Sequence, residues 1–185
     1  MIEVLIGLVV LAVALLSQVS SILGTHHVTR DMRAHSQATG LARRVLTEMQ
    51  ADEDWTGLYD RLANLRLAAA IGSGPRFNDG TRALSLATYA PGVEVPADLS
   101  DVGVLVLVPP RSTAPSHVQF WPALRENSNL PRFGLPADLN ADAKITGGSR
   151  SDDYVVLPVL CRVRWTGSNG QSGETSVLTW LRGER

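Results

Sequence analysis

Met1 to Gly24 reads MIEVLIGLVVLAVALLSQVSSILG, and from Val4 to Leu16 every side chain is apolar or glycine. The weakly polar run Ser17-Gln18-Val19-Ser20-Ser21 leads back into Ile22 and Leu23. About 20 such residues are enough to cross roughly 30 Å of hydrocarbon as a helix. One side chain departs from the pattern, Glu3. A carboxylate inside an apolar span costs roughly 2.5 to 3.5 kcal/mol on insertion scales, so a partner for it has to be sought. The first Lys or Arg is Arg30, and no basic residue stands within a helical turn of Glu3 in this chain. Either Glu3 lies at the water interface or its partner comes from elsewhere.

Beyond Gly24 the pattern turns amphipathic. Leu41, Val45 and Met49 recur every fourth residue with Ala38, Ala42 and Leu46 beside them, while Arg43, Arg44 and Glu48 take the other face. The first proline is Pro75. The spacing therefore predicts one helix from Ile2 to about Gln50, on the order of 70 Å long, which is far more than a globular domain of this size requires. Its first half lacks a polar face and its second half has one.

The opening run Met1-Ile2-Glu3-Val4-Leu5-Ile6-Gly7-Leu8-Val9-Val10-Leu11 resembles the N-terminus of type IV pilins and type II secretion pseudopilins. In that family a prepilin peptidase cuts after a glycine and methylates the new N-terminal residue, and a glutamate stands near the fifth mature position. Aligned so, Glu3 matches the family glutamate and Met1 is the third mature residue. The basic leader, its glycine and the first two mature residues are then expected upstream of Met1. The resemblance implies that Glu3 neutralises the N-terminal amine of a neighbouring subunit during assembly. It also implies an inner-membrane protein with a single pass and a periplasmic head, later extracted into a pilus or pseudopilus. Its partners would be other pilin or pseudopilin subunits, the prepilin peptidase, the inner-membrane assembly platform and the lipid bilayer.

A secretory signal peptide competes for the same segment, but it needs a basic n-region, a shorter apolar core and a small-x-small cleavage site. Applied naively, the positive-inside rule puts Arg30 and Arg33 in the cytoplasm; the missing leader would override it. A second reading stays open: a membrane-tethered periplasmic binding domain or enzyme with a plain signal anchor.

Three regions follow: the apolar half of the helix over residues 1–24, the amphipathic half over 25–51, and a globular head over 52–185. Asp52-Glu53-Asp54 offers acidic N-cap chemistry before Trp55, Leu58, Leu62 and Leu65, which share one helical face. A short helix over 54–70 is predicted, stopped by Gly72-Ser73-Gly74-Pro75, with its stripe packed against a sheet. Val102 to Val108 reads as a buried strand and His117 to Trp121 as an edge strand. The longest strand is Tyr154 to Trp165, where Val155, Leu157, Val159, Cys161, Val163 and Trp165 alternate with Arg162 and Arg164. Pro158 within it requires a bulge or an edge. Thr175 to Leu181 is its hairpin partner across a glycine-rich turn. The fold class is α+β and pilin-like: a long N-terminal helix, its first half transmembrane, packed on a C-terminal antiparallel β-sheet. The closing hairpin resembles those of PilV-type minor pilins and I-type minor pseudopilins.

The 185 residues carry a net charge of -1, which gives no electrostatic footprint for nucleic acid. The single Cys161 excludes an intrachain disulfide and a cysteine-rich metal site. His26, His27 and His35 are too far apart or diverge too much on a helix to share an ion. No Gly-x-Ser-x-Gly elbow, phosphate loop or His-Glu-x-x-His helix occurs, so no enzyme is indicated.

The sharpest local motif is Asp138-Leu139-Asn140-Ala141-Asp142-Ala143-Lys144-Ile145. Oxygens at every second position followed by an apolar eighth residue are what an EF-hand-like loop wraps around calcium. Two requirements fail, because Ala143 replaces the turn glycine and Ser149 stands where the bidentate glutamate belongs. Asp153 is the candidate to complete Asp138, Asn140 and Asp142, and the ion's role would be structural. The alternative is a plain surface loop whose side-chain oxygens cap its own backbone.

Overall fold

The computed structural model describes residues 2–51, 55–71, 74–109, 124–150, 152–167 and 170–183, with the backbone alone at 2–5, 56, 66–67 and 70–71. The elements are α1 (Ile2–Gln50), α2 (Trp55–Ile71), α3 (Leu86–Tyr89), β1 (Ser100–Leu107), a 3-10 turn (Pro131–Phe133), β2 (Val156–Thr166) and β3 (Ser172–Arg182). The three strands form one antiparallel sheet in the order β1-β2-β3. With α1 lying across β2 and β3, the layout is α+β of the pilin-like kind.

The long helix divides as its composition dictates. Every described side chain from Ile6 to Arg33 is exposed, and Ala34 is the first to be buried. From there Ala34, Ala38 and Ala42 recur at four-residue spacing in the core, joined by Leu41, Val45, Leu46 and Met49. The small side chains let α1 lie close on the sheet, and the larger ones fill the core beside them.

β2 supplies the facing layer. Leu157, Val159, Cys161 and Val163 have no exposed surface and Trp165 almost none, as strict alternation requires. Burial pushes the Cys161 thiol up to about 12, so it behaves as a small apolar side chain. On the reverse face the Arg162 guanidinium lies 4.3 Å from the centre of the Phe77 ring and pairs with Asp79 at 2.7 Å and with Glu174. Arg164 reaches the Arg76 carbonyl there.

Pro158 pairs with Trp180 in unbroken register, whereas β1 ends its pairing at Leu107 opposite Leu160. β2 is therefore an edge where proline stands, though central elsewhere, and no bulge is needed. The irregularity lies in β1, between Ser100 and Gly103, with Asp101 at a left-handed φ of 48°.

α2 packs on β1 through Leu58, Tyr59 and Leu62. Its start is held from across the fold, where the Tyr154 hydroxyl donates to the Trp55 carbonyl and accepts the Tyr59 N–H at 3.1 Å. The Trp55 and Tyr59 rings lie 5.3 and 6.4 Å from that of Tyr154. The acidic cap Asp52 to Asp54 and the strand expected over His117 to Trp121 lie outside the described residues.

Candidate functional site

Two regions carry the residues singled out by sequence. The first is the front half of α1, with Glu3 in its opening turn. Leu8, Leu11 and Leu16 are 66%, 61% and 70% exposed. Each large apolar side chain left in water forfeits roughly 1.5–3 kcal/mol. Repeated from Ile6 to Leu23, that exposure makes a contiguous apolar surface of the kind that marks a site of contact with lipid or with another protein. By length and composition this helix can cross a membrane.

The second region is the loop between the 3-10 turn and β2. Its anchor is Leu139, fully buried, whose carbonyl accepts the N–H groups of Val155 and Val156 at 2.8 and 2.9 Å. Around that point the chain folds on its own oxygens. The Asp138 carboxylate accepts the Ala143 N–H at 2.8 Å, Asn140 Oδ1 accepts the Asp142 N–H at 3.3 Å, and Asp142 Oδ1 accepts the Lys144 N–H at 2.8 Å. Ala141 and Ala143 take left-handed φ values of 61° and 62°. Ala143 thus makes the turn that a glycine would make, at a cost of roughly 1–2 kcal/mol.

The carboxylate missing at Ser149 comes from another segment. Glu126 has no exposed surface, and it accepts the Leu139 N–H at 3.1 Å, the Thr146 N–H at 2.9 Å and the Thr146 hydroxyl at 3.2 Å. Burial works to raise its carboxyl, but the Thr146 and Leu139 amides, the Thr146 hydroxyl and Arg150 outweigh it and hold the group below its ordinary range. Glu126, Asp138 and Asp142 each offer an oxygen within 4.8 Å of the others. Calcium ligands lie at about 2.3–2.6 Å from the ion, a spacing that these three oxygens approach.

Arg150 uses the same oxygens. Its guanidinium meets Glu126 at 3.3 Å, Asp142 at 3.3 Å and Asp153 at 2.9 Å. Asp142 is held below the ordinary carboxylate range by the Asn140 amide first, then by the Lys144 N–H and the charges of Arg150 and Lys144. Asp153, expected to complete the calcium set, faces Arg150 and the Asn140 amide at 3.3 Å. Of the four sequence candidates, Asp138, Asn140 and Asp142 come together, and Asp153 is linked to them through Asn140 and Arg150. Glu126, Thr146 and Arg150 escape sequence reasoning. The basic Arg150 within an acidic stretch was the one available signal.

His35 tilts against Trp165 with ring centres 5.9 Å apart, and His26 and His27 are exposed on bare helix. Comparison of the chain with protein-family models, with curated proteins and with solved structures finds no match.

Proposed function

We propose that the chain is a minor pilin or minor pseudopilin, a structural subunit that enters a type IV pilus or type II secretion pseudopilus, in its priming or tip complex. The observation that carries this reading is the division of α1 at Ala34: an apolar helix bare on all sides continues without a break into one sealed against a sheet. A plain membrane tether needs only the apolar part. A filament subunit needs both, because its bare half is covered first by lipid and then by the corresponding halves of its neighbours. On this reading the protein starts as a single-pass inner-membrane protein with its head in the periplasm. Glu3 meets the terminal ammonium of an adjacent subunit, since burying either charge unpaired is costly. The acidic loop shapes the head, and a calcium ion held by Glu126, Asp138 and Asp142 would serve only to order it.

The test is Glu3→Ala in cells that assemble the filament. The variant is expected to reach the membrane fraction at the native level and to vanish from the sheared filament or pseudopilus fraction. Native-level incorporation would overturn the assembly role and favour a membrane-tethered binding domain or enzyme.

A further inference from the structure

Just past the apolar stretch, α1 sets His26, Arg30 and Arg33 four and three residues apart, so that they share one stripe, with His27 beside Arg30. All four are exposed, on the length of helix that precedes the first buried residue, Ala34. Among the described residues neither Arg30 nor Arg33 takes part in an ion pair. The nearest acid in sequence, Asp31, lies off the stripe of His26, Arg30 and Arg33, on the side of His27. With Met32, His35, Trp165 and Glu174 it lines a shallow hollow beneath the sheet.

The heights of these groups identify what they meet. At ~1.5 Å per residue, His26 stands about 5 Å beyond Leu23, Arg30 about 10 Å and Arg33 about 15 Å. The headgroup layer extends roughly 5–8 Å beyond the hydrocarbon on each side. Long arginine side chains bend back toward such a boundary while their stems lie along apolar surface. Both guanidinium groups therefore come within reach of lipid phosphates, and the histidine rings add N–H donors at the same level.

We propose that this stripe binds the phosphate of an anionic phospholipid in the leaflet that the head faces. The inference rests on the reading that the front half of α1 lies in a bilayer, and it names the lipid class that this half selects. The complementarity is that of two unpaired arginines with a phosphodiester, on a helix face that the head leaves uncovered.

The test uses the full chain, reconstituted in vesicles of equal parts phosphatidylglycerol and phosphatidylcholine. Insertion is scored by resistance to alkaline carbonate, and bound lipid by native mass spectrometry after gentle detergent extraction. Two juxtamembrane arginines give an expected preference for phosphatidylglycerol on the order of thirtyfold. That preference should fall to near parity in the Arg30→Gln, Arg33→Gln double variant, with carbonate resistance unchanged and excess inorganic phosphate without effect on the native chain. Equal retention of the two lipids by an inserted native chain would overturn the proposal alone. An undiminished preference in the double variant would do the same. Release of phosphatidylglycerol by inorganic phosphate would replace the lipid with a free-anion site. A chain stripped by carbonate would overturn this proposal together with the membrane reading beneath it.

Discussion

The guanidinium of Arg150 lies 3.3 Å from the carboxylate of Glu126, a side chain with no exposed surface, and so closes the loop from the inside. Removing one member of a buried pair leaves the other charge without compensation. Arg150→Gln is expected to lower the thermal midpoint by several degrees. It also frees oxygens of Glu126 and Asp142 that a divalent cation can take, so added calcium should raise the midpoint of the variant by more than that of the native chain. Differential scanning fluorimetry with calcium or a chelator checks both effects. An equal calcium response in the two proteins would show that the guanidinium and the ion do not compete.

Acid should weaken the head in a defined direction. The Glu126 carboxyl in the folded chain sits below its ordinary 4.5. The stabilisation is therefore complete above that value and is lost as pH falls through the folded one. Asp79, held at about 2 rather than 3.8 by Arg162 first and then by the Thr81 N–H, loses its contribution between those two values. Its exposure makes that contribution small. The urea midpoint is expected to drop below pH 4.5, and to drop less steeply in Glu126→Gln. Superimposable pH profiles would exclude Glu126 as a source of the acid sensitivity.

Gly173 lies opposite Trp165 in the hairpin register, and a Cβ there would stand 2.4 Å from the indole ring. That is inside contact distance of a ring already buried against α1. Gly173→Ala should therefore cost roughly 1–3 kcal/mol, as overpacking does. Chemical denaturation measures it, and a native-like midpoint would mean that Trp165 has room to move.

Tyr154→Phe keeps the ring stack on Trp55 and Tyr59 but removes the hydroxyl that serves the Trp55 carbonyl and the Tyr59 amide. Losing the hydrogen bonds of this hydroxyl should cost roughly 0.5–1.5 kcal/mol. Hydrogen exchange at the start of α2 should rise with it, and unchanged exchange there would place the stabilising contact elsewhere.

Much of this architecture is legible in sequence because periodicity reports burial directly. The fourfold recurrence from Ala38 to Met49 and the twofold recurrence from Leu157 to Trp165 are imposed by the surfaces they cover, so α1 and β2 follow from them. Pro158 was readable as a residue at a bulge or an edge, because a missing N–H is costly wherever it stands between two strands. Its position on a central strand was not, because that depends on where β1 stops pairing. The acidic loop was half readable. Asp138, Asn140 and Asp142 act on their own neighbours, which local spacing reveals. Glu126 and Arg150 meet through the tertiary fold, and no period links them. The left-handed turn at Ala143 was also hidden, since sequence weighs its cost but not the Asp138 hydrogen bond that offsets it.

Because α1 runs through Gly24 and past Arg33 into the seam at Ala34 as one helix, it acts as a crank. The hydrogen-bond ladder is continuous from one end to the other, so the tilt of the apolar half constrains that of the half packed on β2 and β3. A proline at Thr29 would put a hinge in the shaft and let each end point independently.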